Sequence, residues 1–195
     1  MMPSERHSQL NFCMNPNANS SVDVIQFWTE AGPDRWFKKD AAFDDEFRKK
    51  FAAEHDAAAS GALDDWANRA DGALALMILL DQYPRNSFRG TARMFATDPK
   101  ALSTAKQAIA QDFDTVVDPD LRRFFYLPFM HSEALVEQDR SLELYAPLGG
   151  ESMRFAIMHR DIVVRFGRFP HRNVVLGRVT TAQEQAFLDE GGFAG

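Results

Sequence analysis

Between His159 and Arg178 the sequence sets five arginines against a single acid, so that stretch carries +4. The whole chain is −6, which leaves −6 − 4 = −10 for the remainder. A guanidinium presents a planar fork of donors that grips phosphate or carboxylate bidentately. A dense arginine cluster on an acidic protein therefore points to an anion-binding pocket. The residues such a pocket would draw on are Arg85, Asn86, Arg89, Arg168, Arg172 and Asn173. Arg85, Arg89 and Arg93 fall at i, i+4 and i+8, which makes one cationic stripe if that segment is helical. The competing role is structural: the same arginines would pair with Asp81, Glu133, Glu137 or Asp161 and close off helix C-termini.

Three histidines widen the chemistry. His131, His159 and His171, with Glu133 or Asp161, are candidates for acid/base work or for holding a metal. The spacing signal is weak. His131 and Glu133 are two apart, a poor arrangement for sharing one helix face. His159 sits in an apolar helical stretch, where a lone histidine reads as a hydrogen-bonded core residue. The chain has no HExxH pair, P-loop, dinucleotide fingerprint or nucleophile elbow. No metal and no cofactor are expected.

The elements that must hold these side chains read as helices. Ser20 or Ser21 caps a first helix to Ala31, with Val24, Phe27 and Trp28 on its apolar side. Asp40 caps a long helix to about Ser60, on which Phe43, Phe47 and Phe51 share a face. Ala73 to Leu80 is apolar all round, so the helix from Ala70 should be central. Pro84 is expected to end it, with helix resuming from Ser87 to Phe95. Thr97 or Asp98 starts the next, to about Phe113. Asp118-Pro119 repeats that start signal, Pro128 breaks or kinks the pattern, and helix continues from there to about Tyr145. Ser152 to Phe166 and a capping box at Thr181-Ala182-Gln183-Glu184 complete the set. Period-2 alternation is absent, and Val174-Val175-Leu176 is too short for a strand. The expectation is an all-α fold of roughly nine or ten helices: a flexible tail over 1–20, then one helical domain over 21–195.

Two corners echo each other. Tyr83-Pro84-Arg85-Asn86 leaves one apolar helix, and Phe169-Pro170-His171-Arg172-Asn173 leaves another. If they meet in space, a negative group must lie between the guanidinium groups, because like charges within ~4–6 Å repel. Asp81, Asp161 or a bound anion would serve.

Composition sets outer bounds. At 195 residues, 45% hydrophobic, the chain is long enough for a substantial core. Net −6 argues against nucleic acid as a partner. The single cysteine, Cys13, can close no internal disulfide. There is no signal-peptide h-region and no apolar run near the ~20 residues that cross a bilayer. A cytoplasmic protein with no membrane partner is expected.

The segments LLDQYPRNSFRGTARMFATD (79–98), FFYLPFMHSEALVEQDRSLELY (124–145) and HRDIVVRFGRFPHRNVVLGRVTTAQEQAFL (159–188) resemble an uncharacterised bacterial family catalogued as domain of unknown function 924. The resemblance runs from about Val24 to Leu188. It implies an antiparallel, tetratricopeptide-repeat-like helical array and no established activity. The family often carries extra acids around His-Ser-Glu, where this chain has Met130 and Ala134, which counts against a carboxylate-rich metal site. Two functions are in view. One is a binding or scaffold protein presenting an arginine-lined groove to a protein, peptide or anionic small molecule. The other is a hydrolase or transferase acting on a phosphorylated substrate, with a histidine as acid/base. A histidine within hydrogen-bond reach of a carboxylate in a deep polar pocket favours the enzyme. An open groove with backbone-satisfied histidines favours the scaffold.

Overall fold

The computed structural model describes residues 19–193; most of the expected N-terminal tail lies outside the described residues. Among the described residues there are helices and turns and no strand. Helix α1 (Ser21–Ala31) opens on a reciprocal capping box, with Ser20 accepting from the Asp23 amide and the Asp23 carboxylate accepting from the Ser20 amide. Helix α2 (Pro33–Trp36) is a single turn that tucks Trp36 beneath α1, its indole N–H donating to the Trp28 carbonyl at 2.6 Å. Asp40 caps α3 (Ala41–Ser60) by accepting from the amides of Ala42 and Phe43. Gly61, at φ 93°, ends it in the left-handed conformation that glycine adopts without penalty. Phe43, Phe47 and Phe51 do share one face, and all three pack around Phe27.

Helix α4 (Ala70–Met77) is the centre of the molecule. Every residue from Gly72 to Asn86 except Arg85 is buried, Leu76 and Leu79 almost completely. Here the sequence expectation fails. Pro84 does not end the helix. The chain passes through a π-helical turn, Ile78–Gln82, into α5 (Tyr83–Ser87), with the Tyr83 amide reaching back five residues to the Ile78 carbonyl.

The wider turn frees carbonyl groups that an ordinary α-helix would bond, and side chains from elsewhere take them. His55 Nδ1 donates to Leu79, Thr97 Oγ1 to Leu80 at 2.6 Å, and Arg85 Nη1 to Asp81 at 2.9 Å. Leu80 is the carbonyl that the missing N–H of Pro84 would have reached. Thr97→Val keeps the shape and removes that donor. A buried acceptor left unpaired costs ~1–3 kcal/mol, so a urea melt should register a loss in that range; no loss would mean that Leu80 needs no side-chain partner.

After α5 the chain turns at Phe88–Thr91 into a short 3₁₀ helix, Ala92–Phe95, rather than the continuous helix expected from Ser87. Arg85, Arg89 and Arg93 therefore form no single stripe. Helices α6 (Asp98–Ile109) and α7 (Phe113–Val116) follow. The Asp118-Pro119 signal begins only a turn, and α8 starts at Arg123 and runs to Met130. Pro128 lies inside α8. It removes one N–H, the one that would reach Phe124, and the burial of every residue from Phe124 to Met130 holds the turn together. The real break falls at His131–Ala134, before α9 (Leu135–Tyr145). Helix α10 (Gly150–Phe166) leads through Gly167 into a 3₁₀ turn, Pro170–Arg172, and α11 (Ala182–Asp189) opens on the capping box expected at Thr181. A main cluster of buried side chains extends from Val24 to Ala156, and a smaller one gathers Ile162, Val163 and Phe169.

Candidate functional site

The π turn, the residues entering α6, the end of α8 and the Pro170–Arg172 turn converge on one carboxylate. Asp81 is 1% exposed. Its Oδ1 accepts from His131 Nδ1 at 2.7 Å and lies 3.1 Å from Arg85 Nη1, while Oδ2 accepts from the Gln82 amide at 2.6 Å. Burial alone would raise this carboxyl. The neighbouring Arg85 and His131, together with the hydrogen bonds from His131 and Gln82, outweigh burial and hold it down at about 2. Because Asp81 is ionised it can only accept, so His131 carries its proton on Nδ1. The lone pair is then on Nε2, which has no protein partner among the described residues. Burial, then the charge of Arg85, lowers the His131 pKa and keeps the ring neutral.

A second acid binds the two corners together. Asp98 takes both Nη atoms of Arg85, at 2.8 and 3.0 Å, and its Oδ2 lies 3.5 Å from Arg172 Nη1. Arg172 is 6% exposed. Its guanidinium lies over the rings of Phe95 and Phe169, 4.4 and 4.5 Å from their centroids. Its Nη2 donates to the His131 carbonyl at 3.0 Å, and its Nε is buried without a partner. Burial and the charge of Arg85 push the group down to about 10, so it stays cationic at neutral pH.

Gln82, Arg85, Phe95, His131 and Arg172 line a cleft of about 780 Å³, within the range of small-molecule sites, with Asp81 and Asp98 behind them. Arg85, Asn86, His131, His159, His171 and Arg172 all border it. His159 donates from Nδ1 to the Phe155 carbonyl at 2.8 Å, and its ring centre is 6.3 Å from that of His131. Burial drives His159 down to about 3. Burial, then Arg172, drives His171 down to about 4. Among the described residues no group of three or more metal-ligating side chains is placed to hold a metal ion. No helix of the described residues is long and apolar enough to cross a membrane.

A family model for bacterial proteins of unknown function, DUF924, matches residues 24–192. The chain belongs to this family. A solved structure, that of the protein of unknown function ATU0120 from Agrobacterium tumefaciens, is 54% identical to this chain. The match covers 88% of this chain and 97% of that one, with a TM-score of 0.86. No curated protein matches.

In this DUF924 protein the residues singled out from sequence divide into two groups. Arg89 borders the cleft but is committed to Asp44, through its Nε at 2.8 Å. Arg168, Asn173 and Glu133 lie outside it. Arg168 forms a bidentate pair with Glu184 and donates to the Val179 carbonyl. Glu133 accepts both Nη atoms of Arg178 and the Phe169 amide, so its pKa is lowered against burial and it ties down the 168–178 loop. Asn173 is fully buried against Glu184. Asp161 is exposed and does not border the cleft. The acid between the corners is Asp98, which sequence reasoning took only for a helix start. Trp36, Phe95, Arg123 and Tyr145 also line the cleft and were not singled out.

Proposed function

We propose that the cleft is an active site for an anionic small molecule, and that the protein is a hydrolase or transferase acting on a phosphorylated substrate. One observation carries this reading: a neutral histidine, His131, is oriented by a buried ionised carboxylate, Asp81, beside a buried arginine in a small-molecule-sized cleft. A carboxylate that fixes a histidine tautomer leaves the other ring nitrogen free to take a proton from a water or hydroxyl. Arg172 and Arg85 would stabilise negative charge as it develops on the transferring group. In this reading the protein works in the cytoplasm.

A second reading, a binding protein built on a tetratricopeptide-like array, is favoured by His159, whose Nδ1 is satisfied by backbone rather than by an acid. The two are separated by turnover. Offered a panel of phosphomonoesters and phosphodiesters, the purified protein should release product, and His131→Gln should slow it 10²–10⁴-fold, the usual worth of a general base. A melting temperature near that of wild type shows that the variant is folded. No turnover, with phosphate still raising the melting temperature above a chloride control, would favour the binding protein. No turnover and no phosphate shift would remove both.

A further inference from the structure

The cleft is two-sided in character. Its cations are Lys39, Arg85, Arg89, Arg123 and Arg172, and the acid on its lining is Glu151. Asp44, Asp81 and Asp98 stand behind the arginines, so the local sum is +5 − 4 = +1 on a chain of −6. Among the described residues Lys39 and Arg123 have no carboxylate partner. Arg172 brings a side chain more than nine-tenths buried whose Nη2 is taken by the His131 carbonyl and whose Nε is enclosed by protein, while its Nη1 makes no hydrogen bond among the described residues and has Asp98 only at 3.5 Å. That end of the cleft is built for a negative head group.

The remaining lining is large and apolar. Trp36 has its indole N–H committed to Trp28 and offers the cleft only ring surface. Leu127, Met94 and Val175 add aliphatic wall. Phe37 and Phe155 are 59% and 41% exposed, and both sit on this lining. The polar groups His131, Arg85 and Arg172 are far more buried, with side chains 14%, 14% and 8% exposed. The buried arginines therefore lie at the floor, and the exposed aromatics share the rim with Lys39 and Glu151. A bare inorganic anion would leave that rim in water. We infer that the ligand of this site is an amphipathic anion, with a phosphate or carboxylate head at Arg172 and an apolar body of several carbons against Trp36, Phe37 and Phe155. This rests on reading the cleft as an anion site and adds the class of molecule.

Titration calorimetry on the full chain tests it, with hexyl phosphate, heptanoate, inorganic phosphate and hexanol as probes. A buried methylene group is worth roughly a factor of four in affinity, so hexyl phosphate should bind on the order of 100-fold tighter than inorganic phosphate. Phe155→Ala, at an exposed position, should cut that advantage about tenfold and leave inorganic phosphate unchanged. Heptanoate binding best would keep the amphiphile and replace the phosphate head by a carboxylate. Equal binding of hexyl and inorganic phosphate would overturn the inference and leave the anion site standing. Hexanol binding as well as hexyl phosphate, or no probe binding at all, would overturn the anion site itself.

Discussion

Arg85→Ala should lower the free energy of unfolding by about 3–5 kcal/mol, the cost of breaking a buried ion pair by removing one partner. Arg85 is the hub of the cluster. It donates to the Asp81 carbonyl, lies 3.1 Å from the Asp81 carboxylate and holds Asp98 through both Nη atoms. Truncation would leave Asp81, 1% exposed, with His131 and Gln82 as its remaining side-chain donors. It would also free the Asp81 carbonyl within the π turn. Arg85→Lys retains the charge and loses the fork, so it should fall between wild type and alanine. Denaturant melts with an unchanged slope would read both. A loss below ~1 kcal/mol for alanine, the scale of surface changes, would mean that water replaces the guanidinium without penalty and that the cluster is not a buried network.

The reach of local pattern is visible in particular elements. The Ser20 cap, the Thr181 box, the Asp40 cap and the end of α3 at Ser60 each involve residues within a few positions of one another, and each formed where it was expected. The phenylalanine stripe on α3 and the all-apolar α4 needed only the helical period. The Pro84 reading failed because it assumed the ordinary i to i−4 register. The π turn changes that register, and the donors that sustain it, His55 and Thr97, come from 24 and 17 residues away. The same is true of the cluster. Arg85 and Arg172 were legible as a pair of matching corners. Asp98 was hidden, because nothing adjacent in the chain distinguishes a helix-starting aspartate from one that also receives two guanidinium groups. His131 looked unpromising beside Glu133, and its actual partner, Asp81, is 50 residues away.

Stability should fall steeply between pH 6.5 and 4, and histidines should drive it. An imidazole has an ordinary pKa of 6.5, and the fold pushes His159 down to about 3 and His171 down to about 4. Below pH 6.5 the unfolded chain takes up protons that the folded chain refuses. Unfolding is then favoured more with each step downward. The contribution is complete above pH 6.5 and is lost as pH falls toward the folded values. Each pKa unit is worth ~1.4 kcal/mol, so His159 alone should remove about 3 kcal/mol by pH 4. His171, partly exposed, should add less. The carboxylates act later: Asp81 and Glu184 are both held down at about 2, so their contribution stays intact until the pH drops below about 4. His159→Phe separates the two. It keeps an aromatic ring against Phe169 and Phe193, which His159 now contacts, and removes the titrating group. Its urea midpoint should change less than that of wild type between pH 6.5 and 4.5, with the two curves becoming parallel only below about pH 3, where His159 is protonated in the folded chain as well. A wild-type midpoint that stays flat to pH 4.5 would show that the imidazoles take up protons in the folded state, through water entering the cleft, and that the floor around His131, His159 and His171 is wet rather than desolvated.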